Sequence, residues 1–199
     1  MKLPLNIFHF FLSVCLILIS GCTPRSSVYT AGITPLSSIN HWQVKARVAI
    51  RTEEESVSAT LDWKQAARDF DFHIYGMFGA TYAHLIQEGH SATLKLPEEK
   101  IFNHRDAQVL LDEILGWDFP IDALSYWIKG LPSGMKNESI KRDEEQHLAS
   151  AELNGWRVDF SRYQTYSGYQ MPKIIKASHP QLTLKIVVKD WEFLPEGKL

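Results

Sequence analysis

Two thiols, Cys15 and Cys22, are the most nucleophilic side chains in this sequence, and their neighbours decide what they can do. Lys2 supplies a short basic start. An apolar-dominated run follows from Leu3 to Ile19, interrupted by Asn6, His9 and Ser13, and it ends in Ile19-Ser20-Gly21-Cys22. A basic start, an apolar stretch and an exit of small residues read as an export signal. The run is too short and too interrupted for a membrane-spanning helix, which needs about 20 predominantly apolar residues. Cleavage before Cys22 removes Cys15 and leaves one thiol in the mature chain, with no disulfide to form. A lone exported thiol asks for an explanation, and covalent modification of Cys22 supplies one.

Other reactive constellations are absent. There is no Gly-x-Ser-x-Gly nucleophile elbow, no Gly-x-x-x-x-Gly-Lys phosphate loop and no His-Glu-x-x-His zinc pair. The eight His are scattered, and His73 and His84 fall on polar strand faces. Glu53-Glu54-Glu55 and Arg142-Asp143-Glu144-Glu145 read as solvated turns, and Asp159 as an outward surface charge. No catalytic set, metal site or cofactor is expected. The formal net charge of −2 offers no basic excess for nucleic acid. Six Trp, seven Tyr and ten Phe suit a broad apolar interior or pocket wall.

The elements that must build that interior are legible from periodicity. Trp42, Val44, Ala46, Val48 and Ile50 alternate with Gln43, Lys45, Arg47 and Arg51, the period of a strand with one dry face. Val57 to Trp63 and Phe70 to Ile74 repeat the pattern, so three amphipathic strands form an antiparallel meander. Further strands are expected at 81–88, 91–97, 100–104, 139–142, 147–153, 156–165, 171–178 and 182–191. Between them, Asp106 is a good N-cap, Ala107, Leu110, Leu111, Ile114 and Leu115 keep helical spacing, and Gly116 closes the helix. Pro120 opens a second helix that Gly130-Leu131-Pro132 stops.

The fold class is therefore mainly β, with about eleven strands in one antiparallel sheet. A sheet that wide must curl or close, and the economical arrangement covers its concave apolar face with the two helices. Periodicity does not tell a hollow interior from a filled one. Three segments are expected: a signal at 1–21, a modified N-terminus and flexible tether at 22–40, and a folded domain at 41–199. The eighteen tether residues from Thr23 to Asn40 are rich in Ser, Thr, Pro and Gly, and fully stretched they reach roughly 60 Å.

Two resemblances sharpen this. Ile19-Ser20-Gly21-Cys22 resembles the lipobox of bacterial lipoproteins, in which the Cys thiol takes a diacylglycerol before the signal is removed. Thr23 stands where an Asp retains such proteins in the inner membrane, so the resemblance implies the outer membrane. In the folded part, the matching segments include Trp42-Gln43-Val44-Lys45-Ala46-Arg47, Leu61-Asp62-Trp63, Gly76-Met77-Phe78-Gly79, Leu115-Gly116-Trp117, Leu124 through Pro132, Gly155-Trp156-Arg157-Val158 and Leu184 through Val188. In this order, over about residues 40–191, they resemble the LolB family of outer-membrane lipoprotein receptors.

The resemblance implies an open β half-barrel with a helical lid over an apolar cavity. The cavity would hold the acyl chains of lipoprotein passengers delivered by a LolA-like soluble periplasmic carrier, with no nucleotide and no enzymatic step. The receptor would act as a monomer anchored through Cys22 on the periplasmic face of the outer membrane. Trp42, Val44, Val48, Leu61, Trp63, Phe72, Trp156 and Phe160, on dry strand faces, either line that cavity or fill a core. Leu111, Leu115, Leu124 and Trp127 are candidates for the lid's inner face. The family carries an exposed apolar residue in a loop usually read as Pro-Leu-Gly. Here the loop is Met77-Phe78-Gly79, with Phe78 in place of the Leu and without the Pro that would stiffen it. Phe78 is expected to be a membrane-inserting tip; the alternative is a buried hairpin residue. A different apolar ligand in the same fold, or a structural lipoprotein with a filled core, are the competing functions.

Overall fold

The computed structural model of the protein describes residues 34–116 and 118–196. Cys22 and most of the expected tether lie outside them, as does Trp117. The alternating segments become eleven strands: β1 (His41–Arg51), β2 (Ser56–Ala66), β3 (Asp69–Tyr75), β4 (Thr81–Glu88), β5 (Ser91–Lys95), β6 (Ile101–His104), β7 (Ser139–Arg142), β8 (Leu148–Leu153), β9 (Trp156–Tyr166), β10 (Tyr169–His179) and β11 (Leu182–Phe193). They form one sheet in the order β6-β5-β4-β3-β2-β1-β11-β10-β9-β8-β7. Each hairpin pairs with the next, and β1 closes on β11 at the centre, with Val48 opposite Ile186.

That order dictates the lid. The two edge strands, β6 and β7, are consecutive in sequence. The connection between them must pass from one edge of the sheet to the other, and both helices lie within it. Helix α1 (Ala107–Leu115) starts where the Asp106 carboxylate accepts the Val109 N–H at 3.1 Å, and it ends where Gly116 turns left-handed with φ 73°. Its buried face is Ala107, Leu110 and Leu111, resting on β4, β5 and β6. Helix α2 (Ile121–Trp127) follows Pro120 and buries Ile121, Ala123, Leu124 and Trp127. Gly130 then passes so near β9 and β10 that a Cβ there would lie 2.7 Å from Pro172 Cδ and 2.8 Å from the Tyr163 hydroxyl. Only glycine fits.

Part of the tether belongs to the domain. Ile39 is buried, the Lys129 ammonium donates to its carbonyl at 2.9 Å, and the Ala67 N–H donates to the Asn40 carbonyl at 2.8 Å. The Tyr169 hydroxyl donates to the Thr34 carbonyl at 2.8 Å. Residues 34–40, expected to be flexible, are thus tied to the β2–β3 turn, β10 and the segment after α2. Low hydrophobicity hid this, because Leu36 and Ile39 stand among Thr, Pro, Ser and Asn, and their partners are distant in sequence.

A T-shaped aromatic cluster fills one end of the interior. Trp42 lies 5.0 Å from Trp63 and 5.2 Å from Trp191, centroid to centroid. The register slips at Lys45/Ala46 where β1 meets β11. The extra residue bends the sheet there and returns Trp191 to the inner face.

Candidate acyl-binding cavity and exposed loop

Along each strand the inward residues run from one end of the sheet to the other, and their character changes on the way. At the end where β3 turns into β4 they are apolar and mostly aliphatic. Val48 and Ile50 of β1, Leu61 of β2, Phe72 and Ile74 of β3, and Leu182, Leu184 and Ile186 of β11 face Leu111, Leu115, Phe119 and Ile121 from the helical connection. Between them lies a cavity of about 170 Å³ walled by apolar atoms. The strand side of the wall is a continuous run of neighbours, β5 through β1 and then β11, and the helical connection stands opposite.

Of the residues expected to line a cavity, Val48, Leu61 and Phe72 do, and Leu111 and Leu115 face them from the lid. Trp42, Val44, Trp63, Trp156 and Phe160 do not line it. Trp42 and Val44 belong to the filled core with Trp191, and Trp63 ends the cavity by packing on Trp42 and Phe72. Trp156 packs edge-on against Phe119 at 5.3 Å and donates its indole N–H to the Asp118 carbonyl. Leu124 and Trp127 likewise serve the core. The Trp127 indole donates at 2.7 Å to Glu138, which also takes the N–H groups of Ser133 at 3.0 Å and Gly134 at 2.8 Å. Burial raises the Glu138 carboxyl, but these hydrogen bonds outweigh it and hold the group below its usual range. Phe119, Leu85, Leu94, Leu184 and Ile186 are wall residues that were not singled out. Strand parity contains the strand members, whereas Phe119 sits in an irregular link between helices that periodicity does not reach.

The loop after β3 projects from the same end of the sheet as the cavity. Ile50 pairs with Val57 beside the β1–β2 turn, Ile74 precedes the loop, and Leu182 begins β11 at that end. The Gly76 N–H donates to the Ala80 carbonyl at 2.7 Å and closes the loop base. The Tyr82 ring lies against Gly76, where any Cβ would be 2.8 Å from it. These contacts stiffen the loop without the missing Pro. At its tip, Phe78 is 103% exposed and Met77 78%. Phe78 is not a buried hairpin residue. It adopts φ 64°, ψ 15°, a left-handed backbone that costs a non-glycine residue about 1–2 kcal/mol. Gly79 follows, also at positive φ.

Asp143 Oδ1 accepts the N–H groups of Glu145 and His147 and shapes the β7–β8 turn, with His147 stacked on Tyr163 at 4.3 Å.

A curved antiparallel sheet with a helical cover over an apolar space defines a binding protein for apolar chains. Comparison with known proteins narrows the class. A sequence model described as "Outer membrane lipoprotein LolB" matches residues 40–191. A protein of Pseudomonas fluorescens named outer-membrane lipoprotein LolB is 30% identical over 194 residues, covering 92% of this chain and 95% of that one. Its namesake in Pseudomonas savastanoi pv. phaseolicola is 32% identical over 157 residues, covering 79% and 77%. Among solved structures, a domain assigned to outer membrane lipoprotein sorting in Vibrio parahaemolyticus superposes with a TM-score of 0.54 at 11% identity, covering 80% of this chain and 87% of that one. It shares the fold. The chain belongs to the LolB family of outer-membrane lipoproteins.

Proposed function

We propose that this protein accepts acylated lipoproteins from a LolA-like soluble carrier and releases their chains into the outer membrane beside Phe78. The observation that carries this reading is the pairing of an apolar cavity with a fully exposed apolar tip at one end of the sheet. Acyl chains gain about 0.8 kcal/mol per methylene on leaving water. A covered apolar space lets them cross the aqueous gap without any catalysed step. Graded affinity from carrier to receptor to bilayer then suffices to drive the handover.

The cavity as described is small. A water-sized group takes roughly 30 Å³, so 170 Å³ accepts about six methylene-sized groups, less than one long acyl chain. On this reading, loading a whole chain requires α1 to move off the sheet. Leu111 and Leu115 are the lid residues that contact the chains. On this reading the protein acts as a monomer, acylated Cys22 anchors it on the periplasmic face, and residues 41–199 form the receptor with residues 34–40 as its root.

The test is transfer of a labelled lipoprotein from the purified carrier, through this protein, to liposomes. Uptake of unrelated lipoproteins followed by appearance in the liposomes is the expected result. Failure to take up any acylated cargo overturns the proposal, and capture of a single small apolar molecule instead assigns the fold to a different ligand. Mass spectrometry of the mature N-terminus tests the anchor, which an unmodified Cys22 refutes.

A further inference from the structure

The outer face of the sheet, turned away from the cavity, is charged in a lengthwise pattern. In the half toward the Phe78 loop, Arg47 of β1, Lys185 of β11 and Lys176 of β10 are exposed. Lys185 stands directly opposite Lys176 in the register, which puts their Cβ atoms about 5 Å apart. Arg47 lies one row further in, opposite Val187, with Ile174 beyond it. Val187 and Ile174 are only half buried, so the three cations border a small apolar centre. Like charges set directly opposite cost stability. Arg47 makes one long hydrogen bond, 3.4 Å to the Thr60 hydroxyl, and neither lysine side chain has an ion pair or hydrogen bond among the described residues. Of the strand carboxylates in this half, Asp159 faces Lys176 and Glu152 lies on β8, and Arg157 holds both, at 2.8 and 2.7 Å. Glu53, Glu54 and Glu55 lie past the strand ends, in the β1–β2 turn. The other half of the face carries Asp62, Asp71, Asp190 and Glu192, which outweigh Lys45 and Lys64.

The second observation is where the described chain begins. Tyr169, which opens β10 at the end of the sheet remote from Phe78, holds the Thr34 carbonyl. A strand of eleven residues such as β1 is about 35 Å long. Cys22 precedes Thr34 by twelve residues. A chain of that length stretches to roughly 40 Å at most and as a coil spans on the order of 20 Å. A domain standing upright on Phe78 would need the segment almost fully drawn out. Inclining the sheet, so that one broad face approaches the bilayer, removes that demand.

We infer that the tip half of the outer face rests on the anionic lipid surface of the membrane that holds the anchor. Arg47, Lys176 and Lys185 lie among the headgroups, and the acidic half of the face is raised. Tyr82 supports this side of the molecule as the one turned down. It is 38% exposed at the base of the Phe78 loop, two residues before His84, which faces His73 on the outer side. Tyr side chains favour the boundary between membrane and water. In this posture the helical cover points away from the bilayer, where a carrier can reach it. The inference rests on the anchoring of Cys22 and adds the orientation of the domain and the lipid charge that sets it.

The test uses the full-length protein in phosphatidylcholine nanodiscs, with or without phosphatidylglycerol. A fluorophore is attached at Ser161→Cys, an exposed outer-face position opposite Ile174, or at Glu113→Cys on the exposed side of α1. A lipid with a nitroxide on its headgroup quenches whichever label lies near the surface. Three cations at an anionic surface favour the docked orientation on the order of 100-fold. Strong quenching at the Ser161 position and weak quenching at the Glu113 position are expected in phosphatidylglycerol discs. The contrast should fade in phosphatidylcholine alone, and also after Arg47→Gln with Lys176→Gln and Lys185→Gln. The lipid comparison uses the parent cations, so it decides the matter even if the triple variant does not fold. Equal quenching at the two positions, a contrast indifferent to lipid charge, or one that survives the triple substitution overturns the inference. Shielding of the Ser161 position by added carrier alone assigns the face to a protein and overturns it too. Protein that washes off the discs with an unmodified Cys22 by mass spectrometry removes the anchor reading instead.

Discussion

Replacing Phe78 with Gly should make the protein more stable and less competent, and the structure sets both magnitudes. The side chain is 103% exposed, so its removal forfeits no burial. Its left-handed backbone costs about 1–2 kcal/mol in any residue with a Cβ, which Gly relieves. The greater freedom of Gly in the unfolded chain takes back about 0.4–1 kcal/mol. The net gain is between zero and about 1.5 kcal/mol, which for a domain of this size raises the melting temperature by up to roughly 3–6 °C. Membrane contact changes in the other direction. Burying a Phe side chain in an apolar phase contributes about 1.5–3 kcal/mol, so its loss weakens vesicle binding by roughly 10- to 150-fold. Calorimetric melting and co-sedimentation with liposomes read the two effects on one preparation, and Phe78→Leu should keep most of the binding. A Gly variant that binds vesicles and delivers passengers as well as the parent would refute the assignment of the tip. Strain kept at an exposed residue that packs against nothing is otherwise hard to explain by stability.

Three further outcomes are expected. Leu184→Phe narrows the cavity and lowers acyl-chain uptake while vesicle binding through the tip is unchanged; uptake at the parent level would show that the chains lie elsewhere. Glu138→Gln should reduce the protein's acid sensitivity. The folded carboxyl lies below the unfolded value near 4.5, so its contribution is present above that pH and is lost as pH falls through the folded value; parallel acid-unfolding curves for parent and variant would contradict this. Lys129 is 4% exposed, and burial pushes its pKa down from 10.5 to about 8. Between those values the unfolded state binds more protons, so Lys129 makes stability rise with pH over that window. Urea titrations of the parent and Lys129→Met should diverge there, and a constant difference between them would disprove the shift.

The strands were legible because each lies half buried, and a period of two records that state residue by residue. The same is true of α1, whose start and stop are written in Asp106 and Gly116 as local hydrogen-bonding and backbone preferences. The family resemblance followed from the order of such segments. Which inward residues face empty space was not legible. Trp42, Val48, Leu61 and Trp63 obey one alternation, yet Val48 and Leu61 line the cavity while the two tryptophans close it. Alternation reports the face of the sheet, not the position along its axis or what stands opposite. The opposing residues arrive from α1, the start of α2 and the link between them, within a connection that joins the two edges of the sheet. The exposure of Phe78 and the seating of Ile39 under Lys129 have the same origin. Each depends on contacts between segments distant in sequence, and these exist only once the eleven-stranded sheet has closed β1 on β11.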